Sequence, residues 1–247
     1  MHAVDVIAID GPSASGKGTV AQKVAERLGF HYLDSGAIYR AAAHAAQLAG
    51  INLDDAAAQE TAIARVAGAM DLRFAGGAIL LANQDVGPTL RSEECGREAS
   101  KIAALPQVRA ALLERQRDFR QAPGLVADGR DMGSVVFPDA CLKVFLTAGV
   151  AERARRRTAQ LASVAQKGDG PAATNDPKGL IGKENSGSID ALFASVLADL
   201  QARDERDSKR AVAPLAQLPD ARLLDTSNLS IGQAVDQVLA WFATLKN

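Results

Sequence analysis

Apolar and polar positions along the first forty residues change their period twice. Val4–Asp10 is apolar apart from Asp5 and stops at Asp10, as expected of a strand in a buried parallel sheet. After a Gly/Ser-rich turn, Val20, Ala21, Val24, Ala25 and Leu28 recur at helical spacing, and Gly29 is placed to cap that helix. Phe30–Leu33 is again short and apolar, closed by Asp34-Ser35-Gly36. Strand, loop, helix and strand in this order predict the opening of a parallel α/β sheet. Leu125–Asp128 and Leu142–Leu146 are further strand candidates, with Arg222–Asp225 a shorter one. Near the end, Ser230 and Gln233 have the spacing of a capping box. Behind them Ile231, Ala234, Val235, Val238, Leu239, Phe242 and Leu245 form one stripe, predicting a helix packed on the core.

Two stretches break the alternation. Met70–Val86 has short β-like runs around Gly76-Gly77 and predicts a small antiparallel hairpin region, with helices on either side of Pro106 further on. Lys167–Ser188 is rich in Gly, Pro, Asp, Asn, Ser and Lys and nearly free of large apolar residues, which predicts a flexible loop.

Composition narrows the function classes. Hydrophobic residues are 47% of the 247 and charged residues 23%, enough for a sizeable core in one domain with insertions. Lys+Arg 28 against Asp+Glu 29 leaves a net charge of −1. General binding to nucleic acid or a membrane surface would need a basic excess, so neither is expected as a partner. Cys95 and Cys141 are far apart without CxxC spacing, which argues against a disulfide scaffold or a structural zinc site. No run of about 18 apolar residues is present, and the first apolar stretch has no basic flank of the signal-peptide type. A cytoplasmic location is the expectation.

The strongest chemical signal is Gly11-Pro12-Ser13-Ala14-Ser15-Gly16-Lys17-Gly18-Thr19. It matches G-x-x-x-x-G-K, with Gly18 where Ser or Thr usually stands and the hydroxyl one place later. Such a loop turns successive backbone N–H groups toward phosphate oxygens, Lys17 adds a mobile charge, and the next helix points its positive end at the same anion. No N/T-K-x-D motif accompanies it, which argues against a guanine-reading switch.

Three charged groups follow. Asp34-Ser-Gly-Ala-Ile-Tyr-Arg40 comes after the second strand, where ligands of open α/β sheets gather, so Ser35 and Arg40 are candidates to meet a second substrate. Asp128-Gly-Arg-Asp131 ends another strand. Arg130 suits bidentate contact with a phosphate, Asp131 can accept from an amino group, and Asp128 is a candidate to orient hydrated Mg²⁺. Glu152–Arg157 and Arg203–Arg210 are two arginine clusters bracketing the expected flexible loop. That arrangement suits a lid over polyphosphate, because phosphoryl transfer relies on positioning and charge neutralisation.

Together the motifs resemble the bacterial cytidylate (CMP) kinases of the nucleoside monophosphate kinase family. The resemblance runs through Ile9-Asp-Gly-Pro-Ser to Thr19, Leu33–Arg40, Ala127–Gly133, Val135–Asp139, and Arg206-Asp207 to Pro214, nearly the whole chain. It implies a P-loop NTPase core with a five-stranded parallel sheet and flanking helices, a monophosphate-binding insertion with a small antiparallel sheet, and a helical lid. The implied division is a core of about 1–38, 121–152 and 211–247, an insertion of about 39–120 and a lid of about 153–210. It also implies transfer from ATP to CMP or dCMP by a monomer. ATP phosphates would lie on Gly11–Thr19 and the acceptor phosphate on Arg40, Arg130 and Arg210. Cytosine would be read by Ser100, Arg109 and Asp131 with Ser35 and Tyr39 nearby, and the sugar by Arg203 and Asp207. Arg153 and Arg157 would serve the donor side of the lid and, with Lys17, Arg130 and Arg210, act on the transferred group. Mg²⁺ would accompany ATP, near Thr19 and Asp128. The stretch 167–188 lengthens the lid relative to the compact family pattern.

Overall fold

The computed structural model describes residues 4–75, 77–167 and 186–245. β1 (Asp5–Asp10) passes through the phosphate loop into α1 (Lys17–Leu28), and β2 (His31–Asp34) runs directly into α2 (Ser35–Leu48). Beyond a 3-10 turn lie α3 (Glu60–Ala69), β3 (Leu72–Ala75), β4 (Ala78–Leu81), β5 (Gln84–Asp85), α4 (Gly87–Leu90), α5 (Glu93–Ile102) and α6 (Pro106–Arg117). The chain then re-enters the main sheet at β6 (Gly124–Gly129), makes a wide turn over Met132–Val136, and adds β7 (Leu142–Thr147). α7 (Val150–Lys167), α8 (Ser186–Ser208), β8 (Arg222–Asp225) and α9 (Ile231–Ala243) complete it.

The main sheet has five strands in the order β2-β6-β1-β7-β8, and every neighbouring pair is parallel, as the alternation predicts. β1 sits in the middle with both faces covered, which is why its sequence is almost continuously apolar. Strand alternation sends Val6 and Ala8 into one layer, with Ile38, Ile63 and Leu112 of the insertion helices. Ile7 and Ile9 enter the other, with Val20 and Val24 of α1 and Val235 and Val238 of α9. Close packing in the first layer is achieved with alanine: Ala37, Ala41, Ala42, Ala43, Ala45 and Ala46 of α2 are all buried. Alanine is also the best helix former, so propensity and packing agree along this helix.

The predicted caps are present. The Gly29 N–H reaches the last carbonyls of α1, and Ser230 and Gln233 form the reciprocal capping box of α9. Other expectations are extended or changed. The Met70–Val86 hairpin is present as β3 and β4, and β5 adds a third strand, making the small antiparallel sheet that the resemblance implies. β5 is only Gln84-Asp85, two polar residues with no periodicity to read, and it is reached by a turn in which Ala82 and Asn83 both have positive φ (48° and 65°). The α9 stripe buries Ala234, Val235, Val238 and Phe242, but Ile231 and Leu245 are 48% and 47% exposed because the first lies at the mouth of a cleft and the second beyond the last helical turn. Lys167 and Ser186–Ser188 are helical, extending α7 and α8 into the expected loop, and residues 168–185 lie outside the described residues.

Candidate active site

The carboxyl ends of β1, β2 and β6 open into one cleft of about 1010 Å³. That is at or above the upper end of what a single small ligand occupies, about 300–1,000 Å³. The phosphate loop, the start of α2, the 128–131 turn, α5, α7, α8 and residues 226–234 line it. Among the described residues, Lys17 and nine arginines face seven carboxylates there, so a chain of net charge −1 concentrates positive charge in one concavity. A concave basic cleft suits small polyanions, whereas a nucleic-acid duplex needs an extended basic face.

At the phosphate loop, Gly16 has φ 91° at the N-cap of α1, a left-handed conformation that lets the backbone curl while the helix N-terminus faces the cleft. Lys17 Nζ donates to the Pro12 carbonyl at 3.4 Å, bridging the loop it belongs to. Gly18, the departure from the usual motif, has a steric reason. A Cβ there would lie 2.9 Å from Asp128 Oδ2 and 3.5 Å from the Tyr32 hydroxyl. Tyr32 donates to the same Asp128 oxygen at 3.1 Å. Burial, with Arg130 nearby, pushes the Lys17 ammonium down to about 7, while burial and Asp34 push the Asp128 carboxyl up.

On the other side of the cleft, Arg130 is clamped from two directions. Its Nε donates to Asp207 at 2.8 Å and its Nη2 to the Ser13 hydroxyl at 2.7 Å, so the 128–131 turn touches both the phosphate loop and α8. Burial raises the Asp207 carboxyl, but Arg130, Arg210 and Arg203 outweigh it and hold the group below its ordinary value. Arg109 of α6 forms a buried ion pair with Asp131 and also donates to the Ala103 carbonyl. Tyr39, Ser35 and Ser100 are buried along the same wall, and Arg40 donates to the Leu90 carbonyl at 2.8 Å.

Several of these groups have unused hydrogen-bonding capacity. Ser15 Oγ, Ser100 Oγ, Arg203 Nε and Arg210 Nη2 are buried cleft atoms with no hydrogen-bond partner. A buried polar atom left without a hydrogen bond costs about 1–3 kcal/mol, more for a charged one, so four in one cleft, Arg210 Nη2 having only a 3.7 Å ion pair with Asp207, mark surfaces built for a polar ligand. Burial and the charge of Arg130 push Arg203 down to about 9, the signature of guanidinium groups crowded where an anion belongs.

Sequence reading placed Arg153 and Arg157 together, and the structure separates them. Arg153 does not line the cleft: it is buried behind the phosphate loop, donating to the Ser13 and Ala148 carbonyls and paired with Asp204 of α8. Arg157 does line it and forms an ion pair with Glu93 at the start of α5. Arg156, which sequence reading passed over, is a cleft residue: it donates to the Thr226 carbonyl at 2.6 Å and to the Ser15 carbonyl at 3.4 Å. In an arginine run every member is chemically equivalent, and only the packing of α7 against α8 and the loop decides which one points where.

Asp10 is the other residue passed over. It is 8% exposed, and its two oxygens accept from the Met132 and Gly133 N–H groups at 2.8 and 2.9 Å. Burial pushes its carboxyl up to about 6 against the lowering effect of those two bonds. An aspartate ending an otherwise apolar strand was the available signal.

For a divalent cation, no group of three or more His, Cys, Asp and Glu is arranged to hold one among the described residues. Thr19 is exposed in the cleft and Asp128 is buried and engaged by Tyr32, a donor set that fits a magnesium ion carried mainly by substrate phosphates.

A family model described as cytidylate kinase matches residues 7–173 and 182–244. A protein of Chromobacterium violaceum named cytidylate kinase is 55% identical over 239 residues, covering 97% of this chain and 96% of that protein. Proteins of the same name from Cupriavidus necator and Paraburkholderia phymatum are 50% and 52% identical, covering 100% and 99% of this chain and 99% and 95% of those proteins.

Proposed function

This chain belongs to the cytidylate kinase family, and we propose that its cleft transfers the γ-phosphoryl group of ATP to a phosphate oxygen of CMP or dCMP, releasing ADP and CDP or dCDP. The observation that carries the acceptor assignment is the buried Arg109–Asp131 pair sharing a cleft with the phosphate loop. Its carboxylate can accept from the cytosine amino group, while the unpartnered Ser100 hydroxyl and Arg109 can serve the remaining polar edge. Arg130, Arg210 and Arg40 would hold the acceptor phosphate, and Arg203 and Asp207 the sugar. ATP phosphates would lie on Gly11–Thr19, with the base beside Leu229, Ile231 and Ala234, where the half-exposed Ile231 offers an apolar edge. The chain's three parts would be a core of about 1–38, 121–152 and 211–247, an insertion of about 39–120 and a lid of about 153–210.

The reaction needs no general base, since the attacking acceptor oxygen is already anionic. The bond from the γ-phosphorus to the β–γ bridging oxygen breaks as the bond to the acceptor oxygen forms, and ADP leaves with that bridging oxygen. Lys17, Arg130 and Arg210 neutralise charge on the transferred group and hold the reactants in line. Arg157 belongs at the lid side of the same step. Arg153 acts one layer back, by fixing the phosphate-loop backbone. A magnesium ion bound with ATP, held by its phosphates and reached by Thr19 and, through water, Asp128, would spread the phosphate charge further.

An acceptor panel tests this reading directly. With ATP as donor, ADP release should be fast with CMP and dCMP and slower with UMP and AMP; a preference for AMP over CMP would overturn it. A regulatory RNA-holding module is the alternative, and it is disfavoured by the net charge of −1 and by the confinement of the cleft's basic residues to one concavity. Among the described residues no helix is long and apolar enough to cross a membrane, and the nucleotide substrates proposed here support a cytoplasmic location.

The Lys17 environment yields a second expectation. With its ammonium held down to about 7, Lys17 is mostly neutral at pH 8, and an incoming triphosphate favours the charged form. ATP binding at pH 8 should therefore take up close to one proton, falling toward zero at pH 6, with Asp128 shifting in the same direction. Titration calorimetry in HEPES and Tris, whose ionisation enthalpies differ, reads this as a buffer-dependent heat. A buffer-independent heat at pH 8 would show that Lys17 is already charged before ATP binds.

A further inference from the structure

We infer that Asp10 is a positioning residue for acceptor recognition, holding the base-reading Asp131 in register with the phosphate loop; the inference rests on the acceptor reading above. Asp10 is the last residue of β1, so the chain runs from it directly into Gly11 and the donor site. In the sheet it lies opposite Gly129, immediately before Arg130 and Asp131. Its carboxylate reaches past that pair to the turn beyond, one oxygen taking the Met132 N–H and the other the Gly133 N–H.

That turn is wound too widely to satisfy its own first amides. Val136 and Phe137 donate back five residues, to the Asp131 and Met132 carbonyls at 3.2 and 2.7 Å. The opening N–H groups of such a turn have no partner within it and need an outside acceptor. Asp10 supplies both bonds from the strand that carries the donor loop. There is little room at this contact: a Cβ on Gly133 would meet the Lys143 side chain at 3.1 Å and Asp10 Oδ2 at 3.5 Å. The Asp131 side chain is thus held by Arg109, and the backbone immediately after it by the two bonds to Asp10.

An apolar residue at position 10 would avoid burying a carboxyl but would leave two buried amides unbonded. A cap that served only to stabilise the turn would not change which base the enzyme prefers. A cap that sets where Asp131 sits would, because cytosine and uracil differ at the one group Asp131 is placed to read, an amino donor in the first and a carbonyl in the second.

The decisive comparison is Asp10→Asn, which keeps the shape of the side chain but offers only one accepting oxygen. kcat/KM for CMP and for UMP, KM for ATP and the thermal midpoint should be measured for wild type and variant. We expect the CMP-over-UMP ratio to fall by about tenfold, the scale set by sub-ångström misplacement of a reading group, with KM for ATP changed by less than about twofold. Gly133→Ala, which presses on the same contact from the turn side, should lower the ratio in the same direction and covers the case in which Asp10→Asn does not fold. An unchanged ratio in the folded variants, whatever happens to the thermal midpoint, would overturn the role of Asp10 while leaving the acceptor reading intact. A wild-type enzyme indifferent between CMP and UMP would overturn the acceptor reading, and this inference with it.

Discussion

Replacing Lys17 with methionine should lower kcat by about three orders of magnitude while leaving the fold intact. Loss of one preorganised charge or donor at a developing anion costs on the order of 10²–10³ in turnover, and among the described residues Lys17 is the only lysine lining the cleft. The side chain is half-buried and crosses the phosphate loop to the Pro12 carbonyl, a path that methionine can follow without a charge. Because burial disfavours the ammonium, the substitution removes an electrostatic cost rather than a support, and the thermal midpoint should hold or rise. Coupled ADP release and a thermal melt on the same preparation check both halves. Near-normal turnover would mean the phosphate loop had been assigned wrongly; lost turnover with a collapsed midpoint would mean Lys17 is structural.

The second large effect concerns the Arg109–Asp131 pair, whose side chains are both less than a tenth exposed. Asp131→Ala leaves the Arg109 guanidinium buried without its counter-charge, a situation that typically costs about 3–5 kcal/mol. For a chain of this size that corresponds to a thermal midpoint lower by roughly 10 °C. Acceptor use should suffer separately, with kcat/KM for CMP down on the order of 10²-fold, the worth of a hydrogen bond to a charged group together with lost orientation. The double variant Arg109→Met/Asp131→Leu separates the two effects. Replacing both charges by apolar groups of similar volume should recover most of the stability and none of the CMP activity, so the coupling in a double-mutant cycle is large for unfolding and small for catalysis. Recovery of both would mean that the pair is only a strut.

How far the sequence announced this site depends on how local each part is. Gly11–Thr19 was readable because loop, lysine and helix start are contiguous, and their geometry follows from nine residues. The alternation of β1, α1 and β2 was readable for the same reason, down to the Gly29 cap. The Asp10 contacts were not, since its partners lie 122 and 123 residues away and any strand could have brought the Met132 turn elsewhere. Arg153, Arg156 and Arg157 looked alike as a run. The structure tells them apart by an aspartate on α8, the Thr226 carbonyl and a glutamate on α5, none of them near in sequence. Ser100 and Arg109 carry no local pattern at all, and only the resemblance to a family singled them out. β5 escaped because two polar residues have no period.

The strand order has a consequence for how the molecule comes into being. β1 and β2 are made first, yet they do not pair with each other: both pair with β6, with Asp5 opposite Gly124 and His31 opposite Leu125. Pairings over such separations are slow, because a long stretch of chain must be ordered before any contact rewards it. On the ribosome, the Gly11–Thr19 segment therefore emerges well before β6 and has to wait for that strand to take its working shape. A nascent chain that has not yet exposed Gly124–Gly129 holds the phosphate-binding residues but lacks the strand that would seat them.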